Sequence, residues 1–131
     1  MYLCTLSPKI TPVYTFDTLC AKSTLLFTCV LCAAAKYSRP DLHPTLVAHC
    51  QTMVGRAILA GSDSPDLVQS ILVTVYFQPH SDSSAWRKLG WAIRMGYQFR
   101  WHEPRKRPLP AEESAKREIL VRFRLSVGLT L

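Results

Sequence analysis

Twice in this chain a proline stands just inside the start of an apolar run of helical length, and that punctuation selects helices. In SDSPDLVQSILVTVYFQP, Ser64 holds the capping position, Pro65 the first helical position, and Asp66 lies at the positive end of the helix dipole. A proline in the first turn forfeits no bond, because the N–H it lacks would have no partner inside the helix. The β-branched Val68, Ile71, Val73, Thr74 and Val75 would also suit a strand. The run of about eleven residues is longer than most strands, and the Ser-Pro-Asp start decides for a helix.

HPTLVAHCQTMVGRAILAG has the same grammar, with His43 and Pro44 opening it and Gly61 offering a C-terminal stop. Upstream, an alanine-rich helix is expected from Phe16 or Asp17, capped by Asp17, to Tyr37, where SRPDLHP breaks it. Ser83 or Ser84 caps the next helix, in SAWRKLGWAIRMGYQFRWHEP. After a loop containing RKRP, AEESAKREILVRFRL reads as a last helix with acidic residues in its first turn. Residues 1–15, with Pro8 and Pro12, form an extended lead-in. The expected fold is therefore all-α, a bundle of about five helices in up-down hairpins, and 131 residues make one domain at most.

Charge is unevenly placed. Met1 to Ser84 carries five basic and five acidic residues, whereas Ala85 onward carries eleven basic and four acidic, so the whole excess of +7 lies in the last 47 positions. A basic half suits an acidic partner such as nucleic acid or anionic lipid, or equally a solvated face that offsets acidic segments of a longer protein. Five cysteines (Cys4, Cys20, Cys29, Cys32, Cys50) are odd in number and irregular in spacing, which argues against a secreted disulfide framework and for a reducing compartment. A secretory reading of KSTLLFTCVLCAAAKY, with its apolar run from Leu25 to Ala35, is a rival. Against it stand the long mixed segment that precedes the run, including Asp17, and a length well short of the ~20 residues that span a bilayer.

The tryptophan-bearing helix is unusual. At about 100° per residue, Trp86, Leu89, Gly90, Ile93, Tyr97 and Trp101 share one stripe, and Trp91, Met95 and Phe99 fall near the opposite side. Two apolar stripes predict a central helix sandwiched between neighbours, with Arg87 and Arg94 along a narrow polar seam. Gly90 and Gly96 are then expected where another backbone packs closely.

This stretch resembles a signature of the fungal-specific transcription factor domain, the middle homology region of fungal zinc-cluster regulators. There a tryptophan is followed by Gly-x-Ala-x-Arg-Met-Ala and, a few residues on, Leu-Gly-Leu-His. Trp86, Gly90, Ala92, Arg94, Met95 and His102 stand at the matching spacings, and DLVQSILVTVYF places Gln69 on a glutamine that precedes a leucine-rich helix in that family. The resemblance covers about Phe16 to Arg124. Gly96 replaces a usual alanine, Phe99 and Trp101 replace leucines, and Arg100 sits where a glycine is common. Where the family continues with paired aromatics and an aspartate, this chain has LSVGLTL, so residues 16–131 are expected to form a partial domain.

The resemblance implies a regulatory region that does not itself contact DNA. It would work in the nucleus through other domains of the same regulator or the transcription machinery, in some members in response to a small effector. Trp86, Gly90, Arg94 and His102 would be architectural. The family's zinc belongs to an upstream six-cysteine array of the Cys-x2-Cys-x6-Cys kind that these residues do not contain, so no cofactor is expected here. A membrane partner is not expected either.

The residues themselves point away from catalysis. Cys29 and Cys32 form the only Cys-x-x-Cys pair, inside an apolar run, and read as small buried hydrophobes. His43 is near a helix start, and His49 and Cys50, being adjacent, point to different faces. No phosphate loop, Gly-x-Ser-x-Gly elbow or metalloprotease helix occurs. Arg105, Lys106 and Arg107 form a short basic cluster of the kind used for nuclear import or nucleic-acid contact, and equally common in solvated loops. From another class, the basic half could be a small nucleic-acid-binding module.

Overall fold

The computed structural model describes residues 16–112, 115, 116 and 118–120. The chain is all-α: α1 Phe16–Lys22, α2 Thr24–Ser38, α3 His43–Leu59, α4 Pro65–Phe77 and α5 Ala85–Gln98, with no strand among the described residues. Ala115, Lys116 and Glu118 to Leu120 are also helical, within the expected last helix. The rest of that helix, and the lead-in over residues 1–15, lie outside the described residues.

The single helix expected from Phe16 or Asp17 to Tyr37 is two. Ser23 is extended at φ −153° and its hydroxyl accepts the Leu26 N–H at 3.3 Å, so it caps α2 and ends α1. A serine hydroxyl competes with the helix ladder for backbone partners, and here it wins. The chain divides into two compact units, one ending at Gln78 and the other beginning at Pro79.

In the first unit α2 is central, packing against α1, α3 and α4, while α3 and α4 also touch. Its sequence explains why: LFTCVLCAAA is apolar on most sides and rich in small residues, so several helices can approach it. Leu26, Cys29 and Ala33 of α2 meet Cys50 and Val54 of α3 and Leu67, Val68 and Ile71 of α4 in the core. The four-residue turn Arg39 to Leu42 returns the chain as a helical hairpin. Across it, Arg39 bonds both oxygens of Asp41 at 3.0 and 2.9 Å, an exposed pair of small energetic weight.

Lys36 Nζ donates to the Phe77 carbonyl at 3.0 Å, satisfying an orphan acceptor at the negative end of α4. Earlier along both helices, Thr74 Oγ1 reaches Cys29 Sγ at 3.8 Å, so α2 and α4 advance in the same direction. The start of α4 is as its sequence predicts, with the Leu67 N–H donating to Ser64 Oγ at 3.2 Å and Pro65 in the first turn. Gly61, at φ 68°, ends α3: its N–H bonds Ile58 O and the Ser62 N–H bonds Ala57 O, the paired bonding of a Schellman motif.

In the second unit the cap of α5 differs from expectation. Ser84 is itself helical and makes no side-chain cap bond; instead Asp82 Oδ1 accepts the Ser84 N–H at 2.8 Å and Asp82 Oδ2 lies 3.4 Å from Lys88 Nζ. The Ser84 hydroxyl and N–H, together with Lys88, hold the Asp82 carboxyl below the usual carboxylate range. At the other end Arg100 takes the left-handed conformation, φ 56°, with its N–H on Tyr97 O and the Trp101 N–H on Gly96 O. This is the same motif that ends α3, with arginine in the place of glycine.

Candidate functional site

The helix that carries most of the signature residues buries one side and exposes another. Ala92, Met95 and Gly96 are buried. Trp86 is 85% exposed, Tyr97 61% and Ile93 38%. At 100° per residue these three fall within about 40° of one another, with Gly90 beside them and Arg87 and Arg94 on the adjoining flank. Trp91, 45% exposed, lies beyond the arginines. His102 extends the stripe past the helix end, its ring 4.8 Å from that of Tyr97. Phe99 and Trp101 stack on each other at 5.1 Å in the closing turn.

The expectation of a helix sandwiched on two sides is therefore not met. Trp86 stands in solvent rather than in a core, and a Cβ on Gly90 would meet nothing within 4 Å, so no backbone packs closely there. Of the residues matched to the signature, Ala92 and Met95 are buried, Gly90 is half-buried, and Trp86, Arg94 and His102 are exposed. Gln69 is half-buried on α4, in the first unit, and so lies outside the compact unit that holds the others. Periodicity showed both apolar stripes but could not say which would be covered, because burial depends on what packs against the helix.

Arg87 and Arg94 make no ion pair among the described residues, and α5 contains no carboxylate from Ala85 to Gln98. Lys88 is turned to Asp82. Arg100 Nε is 3.9 Å from Glu103 Oε1. In the basic loop Arg105 folds back on its own backbone, Nε to Arg107 O at 2.7 Å and Nη2 to Pro108 O at 3.0 Å, while Lys106 and Arg107 are exposed. Periodic patterns carry no sign of that fold-back.

The core of the first unit holds a second cluster that spacing did not reveal, since Cys50 comes from a different helix than Cys29 and Cys32. Cys29 and Cys50 are buried and Cys32 half-buried, all as free thiols. Cys50 has one proton and two acceptors in reach, the Thr28 carbonyl at 3.4 Å and the Cys29 sulfur. Donation from Cys50, aided by the Thr74 and Ser70 hydroxyls and opposed by burial, brings the Cys29 thiol down to about 7. Cys50 is pushed up, because ionising it would lose its bond to Cys29 and leave a charge buried beside other thiols. Burial likewise raises Cys32. Among the described residues no three His, Cys, Asp or Glu side chains are placed to hold a metal ion. His43 is half-buried in the first turn of α3, whereas His49 is exposed and its neighbour Cys50 buried, on different faces. No described helix is long and apolar enough to cross a membrane.

Comparison with known proteins adds no relative: no family model, no curated protein and no solved structure matches this chain.

Proposed function

We propose that this chain is part of the regulatory, non-DNA-contacting region of a fungal zinc-cluster-type transcription factor. It acts in the nucleus through contacts with other domains of that regulator or with the transcription machinery. One observation carries the reading: the tryptophan-to-histidine block occupies a single helix and its closing turn, with Ala92 and Met95 buried and Trp86, Arg94 and His102 presented outward. Tryptophan, tyrosine and arginine are the residues that protein interfaces favour. In this reading the chain catalyses nothing and holds no cofactor, and zinc belongs to an upstream segment of the regulator.

The test is a nuclear reporter in which residues 1–131 are joined to an unrelated DNA-binding domain and activation domain. Reporter output should change when the chain is present, at equal nuclear protein level. Output identical to that of the fusion without the chain refutes the regulatory role. A second reading, direct nucleic-acid binding, is favoured by Arg87, Arg94 and Arg100 standing exposed on the same helix and closing turn as the exposed Trp86 and Tyr97. It requires a mobility shift that falls steeply as salt rises.

A further inference from the structure

We propose that the outward face of α5, formed by Trp86, Ile93 and Tyr97 and flanked by Arg87 and Arg94, is a docking surface for an acidic amphipathic helix. The inference rests on the reading of this chain as a domain that works through protein contacts, and it names the partner's chemistry.

Side chains spaced at i, i+7 and i+11, with a glycine at i+4, make the anchor pattern of one helix lying along another. The open space beside Gly90 leaves a notch between Trp86 and Ile93 in which a partner side chain can seat. The charge on the flank selects the partner. Arg87 and Arg94 share one side of the stripe two turns apart, make no ion pair among the described residues, and sit on a helix without a single carboxylate. A helix bearing carboxylates next to its apolar face neutralises both arginines as it docks. A second copy of α5 would bring the same arginines together, and like charges oppose that pairing. A single nucleic-acid strand fits less well. Trp86 and Tyr97 are about 16 Å apart along the axis at 1.5 Å per residue, with aliphatic Ile93 between them, so successive bases would not find a continuous run of rings.

The probe is a fluorescein-labelled synthetic helix with leucines along one face bordered by glutamates. Its controls are a twin with lysine for each glutamate, a peptide of the same composition with the leucines dispersed around the helix, and a single-stranded oligonucleotide. Anisotropy with the full chain should show binding of the acidic amphipathic peptide alone. Trp86→Ala, Tyr97→Ala and the double reversal Arg87→Glu, Arg94→Glu should each weaken it by about tenfold or more, the loss typical of an interface anchor. Because Trp86 is almost fully exposed, its truncation should leave the circular dichroism spectrum and the unfolding midpoint unchanged. Tyr97→Ala serves as a second variant should Trp86→Ala alter either.

The proposal is overturned if the dispersed or lysine peptide binds equally well, if the variants retain wild-type affinity, if the oligonucleotide displaces the peptide at physiological salt, or if α5 proves occupied by self-association. In all of these cases a reporter effect from the intact chain would still stand, and only the assignment of the surface would fall. Loss of the reporter effect, by contrast, removes the regulatory reading whatever the peptide does.

Discussion

Replacing Arg100 by glycine should stabilise the second unit, and the size of the gain follows from one torsion. Arg100 holds φ 56° at the position that closes α5, where its N–H bonds Tyr97 O at 2.9 Å. The left-handed conformation costs an L-residue roughly 1–2 kcal/mol, which glycine avoids. Glycine also has more freedom to lose on folding, about 0.5–1 kcal/mol, leaving a net gain of about 0.5–1 kcal/mol. The side chain itself adds little on the other side, because its ion pair with Glu103 spans 3.9 Å between two well-exposed groups. Arg100→Ala is the control: it removes the same guanidinium but keeps a Cβ, so it should sit close to wild type. Trp86, Trp91 and Trp101 all belong to the second unit, so tryptophan fluorescence during urea unfolding reports on that unit alone. With a slope of about 1–3 kcal/mol per molar urea, the glycine midpoint should rise by about 0.2–1 M over both others. A glycine variant no more stable than the alanine variant would refute the claim that Arg100 is strained.

The mirror experiment is Gly61→Ala, which puts a Cβ at φ 68° and should lower the stability of the first unit by about 1 kcal/mol, read by helical circular dichroism during unfolding. Ser23→Ala and Ser64→Ala each remove a hydroxyl that accepts a first-turn N–H and should cost about 1 kcal/mol apiece; no loss at Ser23 would mean that α1 and α2 join as one helix. Val68, fully buried on α4, should cost about 2 kcal/mol or more when cut to alanine, in line with other large-to-small core changes. Asp82 has its carboxyl lowered by folding, so the stabilisation it lends is complete above its unfolded value of about 3.9 and is lost as pH falls through the lower folded value. That acid-dependent fraying of α5 should vanish in Asp82→Asn. Cys29 and Cys50, each 2% exposed, should resist a water-soluble thiol reagent until urea opens the core, whereas Cys20 and Cys32 react first, as mass spectrometry of the labelled chain would show.

Local chemistry made much of the architecture readable beforehand. Pro44, Gly61 and the Ser64–Pro65–Asp66 start each act within a turn of their own position, and each lies where the sequence places it. Ser23 and Asp82 act equally locally, but their signals are weaker: a serine inside an apolar run looks tolerated, and an aspartate two residues before a serine is overshadowed by the commoner cap. Arg100 was not readable as a left-handed residue, since nothing in an arginine announces a positive φ. The candidate surface was half readable. The stripe of Trp86, Ile93 and Tyr97 is plain from helical spacing, while its exposure is not.

Interactions that reach no further than about one helical turn were therefore legible in the chain before it folded: helix identity, most starts and stops, the apolar stripes, and the concentration of positive charge after Ser84. Everything that depends on which surfaces meet came from the packing of the helices. That packing made α2 the central helix of the first unit, because small residues let three neighbours approach it. It brought Cys50 of α3 to Cys29 and Cys32 of α2, and left Trp86 in solvent. Hydrophobic burial is non-directional and depends on the area another element covers, so a helix with two apolar stripes carries no local record of which one will be hidden.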